Sequence, residues 1–253
     1  MKTSERHHLK DNELAIALSQ ANDWAAQNQR QITIGMAVIV VVAVAIGGYY
    51  LWRNSVDSAA RTLLASAMVV RDARVMPPQP PIPPAGANVS PAAPAAPVQP
   101  AGTYPTTQAK LEAALPKFVA TADAYPSTEA GQTARYQAAA TLVELKRFDE
   151  AIAQYDRVIA DGSGLLAQMA RLGKAEASLR AARYDAAIAG FKELSDRTDL
   201  NMPKEAMLLE LARAYKLAGK TDDAKKTLTE IVEQHAGSPF ANEAKQELDK
   251  LQS

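Results

Sequence analysis

Apolar positions along this chain follow two rules. Over residues 32–52 the run ITIGMAVIVVVAVAIGGYYLW carries no charged side chain, whereas beyond residue 106 apolar residues recur every three or four positions among charges. As an α-helix at about 1.5 Å per residue the first run would reach about 32 Å, enough to cross the hydrocarbon of a bilayer. Arg30 and Arg53 bracket it, and Tyr49, Tyr50 and Trp52 gather at one end, where aromatic rings commonly sit at headgroup level. Ser58-Ala59-Ala60 would pass as a cleavage site, but a signal peptide has an apolar region of only about 7–15 residues. The pattern therefore predicts an uncleaved transmembrane helix over residues 32–52.

The second pattern says nearly the same thing three times. RFDEAIAQYDRVI begins at Arg147 and RYDAAIAGFKEL at Arg183, and aligning Ala151, Ala187 and Ala224 places Tyr155, Phe191 and Leu228 four residues later. Val158, Leu194 and Ile231 follow three residues after those, which makes one apolar stripe on one helix, written three times. Upstream of each stripe a further helical segment carries Ala139, Ala175 or Ala212 in the equivalent place. Small residues there allow two helices to approach closely. The polar KRFD, ARYD and GKTDD stretches, with Gly219, supply the turns within the hairpins, and Ser238-Pro239 starts another helix.

The remaining segments complete the layout. Residues 1–31 form a tail in which Leu14, Leu18, Ala21 and Ala25 suggest a short amphipathic helix, and residues 53–76 read as a membrane-proximal helix. Residues 77–105 hold 11 of the chain's 15 prolines. Such a segment is expected to be a disordered Pro-rich linker, extending at up to about 3.1 Å per residue and standing the domain at residues 106–253 away from the membrane.

Charge and residue types narrow the chemistry. Lys plus Arg equals Asp plus Glu at 28 each, with no arginine-rich stripe, so nucleic acid is not an expected partner. There is no cysteine, which removes disulfides, thiolate metal sites and thiol catalysis. His7 and His8 lack a third ligand nearby in sequence, and His235 near a helix end reads as a favourable charge for the helix dipole. Asp149-Glu150 and Asp222-Asp223 suit helix N-termini for the same electrostatic reason. With no catalytic motif present, neither an enzyme nor a cofactor nor a metal is expected. Orientation in a membrane stays open, because Lys2, Arg6, Lys10 and Arg30 before the apolar run balance Arg53, Arg61, Arg71 and Arg74 after it.

The hairpin frame resembles the tetratricopeptide repeat, most clearly in LLELARAYKLAGKTDDAKKTLTEIVEQHAGSP with Ala212, Tyr215, Gly219, Ala224 and Pro239. The resemblance implies an all-α fold: a tetratricopeptide-like helical-hairpin solenoid, preceded by one transmembrane helix and the Pro-rich linker. It also implies a concave peptide-binding groove lined by the first helices of successive repeats. Mapped onto this sequence, its residues are Tyr136, Ala140 and Val143, then Met169, Leu172, Glu176, Leu179 and Arg180, then Leu209, Arg213 and Lys216. Arg180, Arg213 and Lys216 would make a basic patch for a carboxylate, although the asparagines of carboxylate-clamp repeats are absent at the matching positions.

Tail, anchor, spacer and Ala-rich repeats together resemble the bacterial membrane-anchored tetratricopeptide proteins that include the ancillary subunit of the SecYEG translocon. That resemblance implies a single-pass protein of the bacterial inner membrane, with a cytoplasmic tail and its C-terminal domain in the periplasm. It also implies protein or peptide clients, with the Sec translocon and periplasmic chaperones as candidate partners. The function so implied is a scaffold that assists secretion or envelope protein folding. The alternative is a structural or assembly subunit of an inner-membrane complex acting through its anchor and spacer, for which Ala43 and Gly47 give a small-residue pair.

Overall fold

The computed structural model describes residues 18–22, 24–78, 98–162, 164–197 and 202–252. Leu14, His7, His8 and most of the Pro-rich segment lie outside them. The chain divides into two compact units, Met1–Ser55 and Val56–Ser253.

The first unit contains the apolar run, within a helix α1 (Gln29–Arg71) that continues into the second unit. By length and composition this helix is able to cross a membrane, and the side chains of its most apolar stretch are unburied. Val41, Val44 and Leu51 are among the exposed ones.

The second unit is built of helices joined in sequence order: α2 (Thr107–Ala124), α3 (Glu129–Glu144), α4 (Phe148–Asp161), α5 (Gly164–Arg180), α6 (Tyr184–Asp196), α7 (Lys204–Leu217), α8 (Thr221–Gln234) and α9 (Ala241–Gln252). Each packs on the next, and α3 also meets α5, so the hairpins α3–α4, α5–α6 and α7–α8 are stacked. Thr106 and Thr128 start α2 and α3, each hydroxyl oxygen accepting from a backbone amide three residues on at 3.0 Å.

The predicted stripes are the core. Ala151, Tyr155 and Val158 on α4, Ala187, Phe191 and Leu194 on α6, and Ala224, Leu228 and Ile231 on α8 are all buried, none more than 3% exposed. Ala139, Ala175 and Ala212 are buried on the paired helices. Two apolar clusters result. One joins α2, α3 and α4 with Ala170 and Ala177 of α5, and the other joins α6, α7 and α8 with Ala175 of α5 and Ala244 of α9. Helix α5 is thus shared, with one side in each cluster.

All three intra-hairpin turns have the same backbone. Lys146, Ala182 and Gly219 take positive φ of 61°, 57° and 74°. Each is followed by an amide that donates back into the helix just ended: Arg147 to the Leu142 carbonyl, Arg183 to Ser178 and Lys220 to Tyr215, all at 2.9 Å. This is the left-handed helix stop that glycine accommodates best. Only the third turn uses glycine, so the first two hold a Cβ where it is sterically disfavoured. After each turn the basic residue starts the second helix, and Arg183 bonds Asp149 at 2.6 Å while Lys220 bonds Asp185 at 2.8 Å, each reaching the preceding hairpin. Exposed pairs of this kind add little stability. Their recurrence does show that the starts of successive second helices stand side by side.

The C-terminal part of α1 packs on the helical unit: Ala67 is buried in the first cluster with Leu64, Met68 and Val70 against it, and Arg71 pairs with Glu144 at 3.0 Å. The described ends of the Pro-rich segment also meet. Strands β1 (Arg74–Val75) and β2 (Thr103–Tyr104) pair in parallel, the Met76 amide donates to the Tyr104 carbonyl at 2.9 Å, and Gln99 Nε2 donates to the Met76 carbonyl at 3.0 Å. The described ends of the segment are thus held side by side at the helical unit. This pairing of distant backbone groups is invisible to composition.

The turn geometry carries a prediction. Replacing Ala182 with Gly should stabilise the chain by about 0.5–1 kcal/mol, and Gly219→Ala should destabilise it by about 1 kcal/mol or more, because only glycine adopts positive φ without a Cβ penalty. Denaturant midpoints of the full chain in detergent should shift in those opposite directions.

Candidate peptide-binding groove

The first helices of the hairpins, α3, α5 and α7, carry the residues mapped to the groove. On α3 and α5 they converge. Tyr136, Ala140, Val143, Met169, Leu172, Glu176 and Arg180 line one cleft of about 280 Å³, together with Glu144, Tyr155 and Gly173. Spacings of three and four place them on one face of each helix. Leu179 is not in the cleft; it packs half-buried against the second apolar cluster.

Leu209, Arg213 and Lys216 do not extend this cleft. They line a separate hollow of about 20 Å³ with Leu228, Glu247 and Leu251, closed by α9. Leu209 is buried core. Arg213 pairs with Glu210 at 2.7 Å and with Glu243 at 3.7 Å, and Lys216 donates to Glu247 at 2.8 Å. The expected basic patch for a carboxylate is therefore already neutralised at Arg213 and Lys216 by carboxylates of the chain itself, while Arg180 has no ion pair among the described residues. Glu243 and Glu247 lie four residues apart and flank the buried Ala244, which puts both on the side of α9 that faces α7.

Tyr155, Gly173 and Glu144 are cleft residues that the repeat frame does not single out. Tyr155 belongs to the core stripe, yet its ring also reaches the cleft wall, edge-on to Tyr136 with centroids 5.7 Å apart. Gly173 makes room for it, since a Cβ there would lie 2.5 Å from the Tyr155 ring. A glycine inside a helix with no turn to form was the available hint.

Electrostatics within the cleft follow from burial. The Glu176 carboxyl is pushed above the usual carboxylate range, first by loss of water and then by the charge of Glu210, with Arg180 opposing. Tyr136 is raised by burial and by Glu176, and Tyr155 is raised by burial, Tyr136 and Glu176. None of Tyr136, Tyr155, Glu176 and Arg180 makes a side-chain hydrogen bond or ion pair among the described residues. Outside the cleft, Asp149 and Glu150 occupy the first turn of α4 and Asp222 and Asp223 that of α8. His235 caps α8, with Nδ1 3.0 Å from Glu205 on α7.

Comparison with known proteins fits this architecture. Residues 205–238, which span α7, the Gly219 turn and α8, match the tetratricopeptide repeat family. Such repeats in general mediate contacts between proteins and carry no catalytic machinery of their own. Among solved structures, nearly identical TPR-like repeats of a putative kinesin light chain from Podosopora anserina align at 16% identity and a TM-score of 0.48. The alignment covers 56% of this chain and 77% of that one, and a single-residue variant of the same repeats aligns equally. No curated protein matches.

The closure by α9 has a pH signature. Two lysines, Lys216 and Lys250, donate to Glu247 and hold its carboxyl at about 2, below its ordinary 4.5. A group depressed on folding stabilises above its unfolded value and loses that contribution as pH falls through the folded one. Glu247→Gln should therefore lower the midpoint of thermal unfolding at neutral pH and flatten its decline between pH 4.5 and about 2.

Proposed function

We propose that the chain is a membrane-anchored scaffold that binds a protein or peptide client in the cleft between α3 and α5, outside the cytoplasm. The observation that carries this reading is the cleft itself: apolar walls from Ala140, Val143, Met169 and Leu172 surround a few polar groups with no partner among the described residues. That combination is what ligand sites present, and a folded domain has no internal use for it. The family match over residues 205–238 supports a protein as the partner. The long apolar helix supports an anchor, and the layout resemblance to the translocon-associated family supports a bacterial inner membrane with the repeats in the periplasm, assisting secretion or envelope protein folding.

The absence of cysteine makes a single-site test direct. Met169→Cys places a thiol in the cleft, and Ala189→Cys places one on the exposed side of α6. Cells opened at the outer membrane are treated with a membrane-impermeant maleimide carrying a photoreactive group. Both positions should take the label, and only residue 169 should yield client adducts on illumination. Labelling that requires rupture of the inner membrane would reverse the orientation, and equal adducts from both positions would remove the cleft as the binding site.

A further inference from the structure

The partner groups in the cleft have a sign. Glu176 lies on α5 with its carboxylate partly withdrawn from water, and Arg180, one turn further on, forms no ion pair with it although i,i+4 spacing would allow one. Glu144, the other acid in the wall, is occupied by Arg71 at 3.0 Å. Glu176 is therefore a partly desolvated carboxylate with no ion pair among the described residues, eased by the charge of Arg180 from beyond ion-pair distance. Beside it stands the half-buried ring of Tyr136, with the buried ring of Tyr155 edge-on to it. Met169, Leu172 and Val143 complete an apolar lining.

We infer that the cleft is a pocket for one long basic side chain, lysine or arginine, presented by an extended client segment, with Glu176 as counter-ion and the Tyr136 ring beside the cationic head. This rests on the reading that the cleft binds a peptide client, and it names the chemistry that the client must carry. The volume of about 280 Å³ suits one side chain and its flanking backbone. An acidic guest would gain Arg180 at the exposed rim but would bring its charge against Glu176 inside. A purely apolar guest would leave Glu176 desolvated and unpaired, a costly state that a cation relieves. The half-buried Tyr136 ring adds cation–π attraction to such a head, which is larger where water is excluded.

The test uses the full-length chain in nanodiscs of neutral phosphatidylcholine, so that cationic probes have no anionic lipid to bind. Pools of acetylated, amidated nonapeptides share randomised flanks and differ in one central residue: lysine, arginine, norleucine or glutamate. Retention of each pool is read by mass spectrometry. The lysine and arginine pools should be retained about tenfold better than the norleucine and glutamate pools, the scale of one charge-assisted contact. Glu176→Gln, nearly isosteric at a partly exposed position, should abolish that preference. Peptide retention without basic preference, or a basic preference unchanged in Glu176→Gln, would overturn this inference and leave the peptide-binding cleft standing. Retention of no pool would remove both. The comparison of lysine with norleucine on the unaltered protein needs no variant to fold.

Discussion

Everything in the helical unit depends on small side chains at the helix contacts. Ala151, Ala187 and Ala224 bring each second helix close to its partner, and Ala139, Ala175 and Ala212 do the same from the first helices. An alanine contributes little buried area by itself. Its effect is geometric: with a methyl group at the crossing, the large residues on either side, such as Tyr155, Phe191 and Leu194, interdigitate instead of holding the backbones apart. The Cβ that Gly190 lacks would meet that of Ala175 at 3.0 Å, which shows how little room the contact leaves.

The cleft follows from the same constraint. Because α5 serves two apolar clusters at once, its outward side has few residues left over, and these include Met169, Glu176 and Arg180. Gly173 lets the Tyr155 ring come through from the core to the cleft wall. A core residue and a site residue are here one side chain. The far end of the stack is different in kind: α9 lays its carboxylates over Arg213 and Lys216, and its outward side chains, Asn242, Lys245, Gln246 and Asp249, are polar. Terminal elements of stacked arrays need such a polar outer face for solubility.

Much of this was legible in sequence because the information is local and periodic. The stripes at Ala151, Ala187 and Ala224 fix helix faces by spacing alone, and the residues at which the hairpins turn are those that break the apolar pattern. The shared turn backbone was less visible, since Lys146 and Ala182 occupy a conformation usually marked by glycine. Contacts between distant segments were not legible. Nothing in the composition of residues 77–105 reveals that Gln99 and Tyr104 hold its two ends together, or that Ala67 is core. Charge pairing across helices misled in the same way: Arg213 and Lys216 look free until α9 is placed beside them, whereas Glu176, with no partner among the described residues, looks no different in sequence from an ordinary surface acid.

The central claim, that small residues at the crossings hold the stack, is most directly tested by amide hydrogen exchange of the full chain carrying Ala224→Leu, compared with Lys226→Leu two positions away on the exposed side of α8. Overpacking a closed crossing costs about 1–3 kcal/mol, and an exposed substitution changes stability by no more than about 0.5 kcal/mol. Nearest-neighbour coupling then confines the damage. The account predicts faster exchange in α7, α8 and α9 for Ala224→Leu, with α2, α3 and α4 unchanged, and no change anywhere for Lys226→Leu. Equal exchange in the two variants would contradict it.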